Sequence, residues 1–141
     1  MKACNRTWVW LALIGAWLIS GCSPDTNAQR AREMFAAFNR HDWPAMAACY
    51  APEAQFLDPS FGTEWVTRSR QETAAKYAEM AQMFPDLKDS VQNVYVSGDH
   101  VIVQFVSTGT AGDSLSFALP ICTVLTFQNG LIVRDATYYD Q

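Results

Sequence analysis

The sequence predicts an α+β domain, with helices first and a curved antiparallel sheet second. Three observations carry this. Apolar residues recur at helical spacing up to Met83 and at strand spacing after Pro85. Asn129-Gly130 is a strong hairpin signal between two β-rich runs. The chain has 141 residues, enough for one domain with its own core.

The first helix is expected over Ala28 to Asn39, where Ala31, Met34, Phe35 and Phe38 form one apolar stripe. Asn39, Arg40 and His41 break it. Asp42 is a good N-cap, and Pro44 sits where a first-turn proline is tolerated. A short second helix runs through Met46, Ala47 and Tyr50 and stops near Ala51-Pro52. Gln55 to Asp58 reads as a short extended segment. Ser69 to Met83 is the third helix, with Ala74, Tyr77, Ala78 and Ala81 among its packing positions. Beyond Pro85, four antiparallel strands are expected between Val91 and Tyr139, turning at Gly98-Asp99 and Asn129-Gly130. Helices that cover such a sheet incompletely leave a pocket.

The N-terminus stands apart from this domain. Lys2 and Arg6 precede an unbroken run of 12 apolar or small residues, Trp8 to Ile19, which ends in Ser20-Gly21-Cys22. This is the pattern of a signal peptide. A transmembrane anchor is the alternative, but the run is shorter than the roughly 20 residues that span a bilayer. I-S-G-C resembles the lipobox of bacterial lipoproteins. That resemblance implies a lipoprotein signal peptide over residues 1–21 and lipidation of Cys22 by diacylglycerol, with acylation of the new amino terminus. Acyl chains such as palmitate add membrane affinity of about 0.8 kcal/mol per buried methylene. Ser23 after the cysteine resembles an outer-membrane address facing the periplasm in Gram-negative cells. Residues 22–29 read as a polar tether, and residues 30–141 as the folded domain.

Loss of residues 1–21 leaves eight basic and fourteen acidic residues, a formal side-chain charge of −6. Phosphate backbones would repel such a chain, so no nucleic-acid partner is expected. Cys49 and Cys122 remain, either as buried thiols or as one disulfide, with thiols favoured because a domain of this size does not need the bridge. His41 and His100 lie in turn-like sequence, and no metal-ligand spacing is visible. No cofactor is expected.

One segment stands out for chemistry. A-Q-F-L-D-P-S-F-G-T-E-W places Asp58 among apolar residues. Asp58 is either the first residue of a turn with Pro59 or a base at a pocket mouth. Phe56 lies two residues before it, and Phe61 and Trp65 could wall a ligand.

Three further segments carry a family resemblance: A-F-N-R-H-D-W-P-A-M-A-A-C-Y-A-P-E-A-Q-F-L-D-P, V-S-G-D-H-V-I-V-Q-F and L-T-F-Q-N-G-L-I-V-R-D-A-T-Y-Y-D. By their order and spacing the chain is similar to the nuclear-transport-factor-2-like superfamily, in its SnoaL-like and ketosteroid-isomerase-like branch. The resemblance implies a cone: a highly curved antiparallel sheet wrapped around the N-terminal helices, the cystatin-like fold. It also implies a ligand pocket and homodimerisation through the outer sheet face.

D-P-S-F-G resembles the segment that carries the general base of ketosteroid isomerases, which marks Asp58 as a candidate catalytic base. The family's oxyanion donors would fall on Met34 and Thr123; Met34 cannot donate and Thr123 is a weak donor. SnoaL-like cyclases place an acid–base Asp late in the chain, and Asp135 matches it. Counted from Gly130 against the family pattern, the resemblance implies that Asp135, Thr137 and Tyr139 share the cavity face, with Arg134 and Asp140 on the other. Phe38, Phe56, Phe61, Trp65, Tyr77, Thr123, Thr137 and Tyr139 are the candidate ligand contacts. Two functions remain open: a binding module for a small apolar ligand, and a cofactor-free isomerase, cyclase or hydrolase.

Overall fold

The computed structural model describes residues 24–59, 62–112 and 115–139. The signal-peptide reading, Cys22, Phe61 and Asp140 lie outside them. The elements are α1 (Pro24–Asn39), α2 (Trp43–Ala48), β1 (Tyr50–Leu57), β2 (Val66–Ser69), α3 (Arg70–Met83), β3 (Lys88–Ser97), β4 (His100–Ala111), β5 (Leu115–Gln128) and β6 (Leu131–Tyr138). Helix α1 starts four residues before the expected Ala28, so most of the segment read as a tether is helical. No helix among the described residues is long and apolar enough to cross a membrane.

Local chemistry explains the helix ends. The Asp42 side chain accepts from the Ala45 amide and starts α2, with Pro44 in its first turn. Ser69 starts α3 through a capping box. Its hydroxyl accepts from the Glu72 amide at 3.2 Å, and the Glu72 carboxylate accepts from the Ser69 amide at 2.8 Å. His41 adopts a positive φ of 55°, which reverses the chain between α1 and α2.

The six strands form one sheet in the order β2-β1-β6-β5-β4-β3. Strands β3 to β6 are consecutive antiparallel neighbours. The purely antiparallel, highly curved cone expected from the sequence is corrected here. Strand β1 runs parallel to β6, with Phe56 opposite Asp135 and Leu57 opposite Ala136. The sheet is mixed, open and not strongly curled, and β2 and β3 are its edges. The reason is where β1 enters. The chain passes from α2 into β1 through Cys49 alone, and the Ile132 amide donates to the Cys49 carbonyl at 3.0 Å. This pins the start of β1 beside the start of β6, so the two strands point the same way. Alternation within a strand reports its faces and not the direction of its neighbour.

The buried face of the sheet alternates at period two. Val101, Val103, Phe105 and Ser107 on β4 point inward, as do Thr123, Leu125 and Phe127 on β5. Against them lie Ala31, Met34, Phe35 and Phe38 of α1. The Phe35 and Phe105 rings meet edge to face at 4.9 Å. Cys49 and Cys122 are free thiols.

Candidate functional site

Between the helices and the buried sheet face lies a cavity of about 300 Å³. This is at the small end of ligand pockets. Helix α1 gives it Met34, Phe35 and Phe38, α3 gives Lys76, Tyr77 and Met80, and β5 gives Phe117, Leu119, Ile121 and Thr123. The β5 residues are every second one, as the pleat requires. Phe105 and Ser107 of β4 and Asp89 of β3 extend the wall, and Asp135, Thr137 and Tyr139 complete it at β6 and beyond.

Asp135 is the most enclosed acid of the cavity. It is 6% exposed and accepts three hydroxyl bonds. Tyr50 donates to Oδ2 at 2.7 Å, while Thr123 and Thr137 donate to Oδ1, Thr137 at 3.2 Å. These donors satisfy a carboxyl that burial would otherwise leave unpaired. Burial raises its pKa; the three hydroxyls and the charge of Lys76 pull it back only in part.

Asp58 lies just past the end of β1, 17% exposed at the side chain. Lys76 Nζ reaches its Oδ2 at 3.1 Å, and the Tyr139 hydroxyl donates to its Oδ1 at 2.9 Å. The first residue after β1, the second turn of α3 and the first residue after β6 therefore meet at one carboxylate.

A third acid completes the set. Asp89 is 7% exposed, and burial lifts its pKa to about 6 against the opposing pull of Ser107. Its backbone is held from α1. The Asn39 side chain accepts from the Asp89 amide and donates to the Asp89 carbonyl, both at 2.8 Å. Tyr77 stands between the three acids. Burial raises its pKa, and the charges of Asp135, Asp89 and Asp58 raise it further. Its ring packs edge to face on Phe38 at 5.4 Å, and Lys76 Nζ lies 5.0 Å from its centre.

Of the residues singled out from sequence, Phe38, Asp58, Tyr77, Thr123, Asp135, Thr137 and Tyr139 line this cavity. Two do not. Phe56 is buried in the core against Tyr50, ring centres 5.2 Å apart. Trp65 is 43% exposed and lies against the Arg134 guanidinium at 5.4 Å, away from the cavity. Tyr50, Lys76 and Asp89 were not anticipated as site residues. Lys76 follows helical spacing, one turn before Met80, and Asp89 is an acid at the start of an apolar strand; those are the only sequence signals for them. Among the described residues no group of side chains is arranged to hold a metal ion.

Comparison with known proteins agrees with this architecture. A ketosteroid-isomerase-like protein from Catenulispora acidiphila, solved in complex with trimethylamine, is 23% identical with a TM-score of 0.71; the match covers 79% of this chain and 85% of that one. Bal32a, from a soil-derived mobile gene cassette, is 21% identical with a TM-score of 0.73, covering 82% and 90%. An epoxide hydrolase from M. tuberculosis is 16% identical with a TM-score of 0.70, covering 82% and 84%. At these identities the shared property is the fold. No curated protein matches the chain. The family model of the SnoaL-like domain matches residues 31–135, well over half of the sequence. The chain therefore belongs to the SnoaL-like domain family.

Proposed function

We propose that the domain binds a small, largely apolar molecule in its cavity. The carrying observation is the lining: a space of about 300 Å³ walled mainly by aromatic, methionine and aliphatic side chains, with a few polar groups converging on it. The trimethylamine complex of the Catenulispora protein supports a small ligand in this fold. A panel of small apolar compounds tests it by thermal shift. A ligand at 100 times its Kd stabilises by about 2.7 kcal/mol. Ile121→Trp, which fills the cavity, should abolish that shift. A shift that survives Ile121→Trp places the ligand elsewhere and defeats the reading.

One observation favours a second reading, acid–base catalysis: two carboxylates of different environment face the same cavity. Asp58 would act as general base of an isomerase, cyclase or hydrolase. Asp135, whose pKa burial raises, would be the acid–base partner, and Tyr77 would donate to a developing oxyanion. Met34 forms apolar wall, and the Thr123 hydroxyl is spent on Asp135. Asp58→Asn should then cost proton transfer about 10²-fold or more and leave binding intact.

We further propose that the chain is a lipoprotein of the bacterial envelope, anchored through acylated Cys22, with the domain facing the periplasm. The I-S-G-C segment supports this. A homodimer through the outer sheet face is supported by Tyr95 of β3 and Tyr138 of β6, which are exposed on that face.

A further inference from the structure

The charge balance of the cavity narrows the ligand class. Among the described lining residues three are acids, Asp58, Asp89 and Asp135, and Lys76 is the one base, engaged by Asp58. They come from four different elements or their ends, so the excess of acid belongs to the cavity and not to one helix face. Two of these acids are more than nine-tenths buried. The remaining wall is rich in aromatic rings, whose faces carry partial negative charge.

We propose that the occupant is a small organic cation, an apolar amine or quaternary ammonium. Its charged nitrogen faces the three carboxylates near Tyr77, and its carbon groups lie against the aromatic wall. This rests on the cavity being a ligand site, as proposed above, and names what enters it. An anionic ligand such as a fatty acid meets like charge. Among the described residues neither Asp89 nor Asp135 is in an ion pair, and a neutral apolar ligand leaves both so. An alkylammonium supplies the missing charge and gains cation–π attraction from the rings, with less hydration to lose than a compact metal ion.

Two molecules of the same shape test this: choline and 3,3-dimethylbutan-1-ol, in which carbon replaces the charged nitrogen. Each is titrated into the full-length protein at pH 7.5 and low ionic strength, with affinity read by calorimetry and location by nuclear magnetic resonance. The proposal expects choline to bind at least tenfold tighter, with perturbed signals at Tyr77, Phe117 and Ile121. It expects Asp89→Asn combined with Asp135→Asn to erase the preference. The wild-type ratio decides the question by itself if the double variant does not fold. Equal affinity, or tighter binding of the alcohol at the same signals, overturns the cation and leaves the apolar-ligand reading standing. Binding of neither molecule overturns this inference, and the Ile121→Trp thermal-shift experiment then decides the broader reading separately.

Discussion

Replacing Asp89 with Asn should make the protein more stable at neutral pH. Burial raises the Asp89 pKa from 3.8 to about 6. A group with a raised folded pKa contributes stability that is fully present below its unfolded pKa. That contribution is lost as pH rises through the folded value. Here the window runs from about pH 4 to just above pH 6. A shift of this size at about 1.4 kcal/mol per unit amounts to roughly 3 kcal/mol. The wild-type protein should therefore lose about that much across the window on account of Asp89. Asn keeps the shape and can still bond Ser107, and it does not ionise. Urea unfolding at pH 4, 5, 6, 7 and 8, with slopes checked for constancy, gives both curves. The informative quantity is the difference between variant and wild type, because Asp135 and every other titrating group cancel to first order. That difference should grow by about 2–3 kcal/mol in favour of Asn between pH 4 and pH 7. Curves that run parallel through the window would refute the reasoning. A residue that weakens the fold at neutral pH and faces a cavity is better explained by what it binds than by what it packs.

Asn39→Ala should cost about 1–3 kcal/mol, because it leaves the amide and carbonyl of Asp89 without their partner in a part-buried site; thermal melts check this, and a loss under 0.5 kcal/mol would show that water replaces the clamp. Gly109→Ala would place a methyl 2.8 Å from Cε1 of Phe117 and 3.0 Å from Cβ of Phe84, so it should cost about 1–3 kcal/mol and weaken ligand binding by moving Phe117. Denaturant titration and ligand affinity read the two effects separately. Cys22→Ala should abolish lipid mass on the protein isolated from its native host, as read by mass spectrometry; unchanged mass and processing would remove the lipoprotein reading.

The parts of the site that were legible in the sequence are those set by one strand's own alternation. Counting from Gly130 puts Asp135, Thr137 and Tyr139 on one face, and that count needs no knowledge of the neighbours. Tyr50 was hidden because Y-A-P-E resembles the end of a helix, whereas the chain enters β1 there. Phe56 and Trp65 were assigned to the pocket from their nearness to Asp58. Strand β1 ends at Leu57, however, so Asp58 leaves the strand and the face of Phe56 no longer predicts its surroundings. The parallel partnership of β1 with β6 depends on contacts between distant segments, and no local period encodes it. Lys76 and Asp89 acquire their meaning only when α3 and β3 are brought to the same space.

The pairing of β1 with β6 also sets when the protein becomes itself. Tyr50 meets Asp135 across 85 residues of chain, and Tyr139 meets Asp58 across 81. Translation at about 5–20 residues per second separates the two partners by roughly 4–16 s. During that interval one flank of β1 is an unpaired edge, the kind of surface that recruits other chains. Strand β6 both covers this flank and brings Asp135, Thr137 and Tyr139 to the cavity. A chain that stops before Leu131 loses sheet continuity and ligand pocket together, so incomplete molecules are exposed to aggregation and proteolysis before they can occupy a ligand.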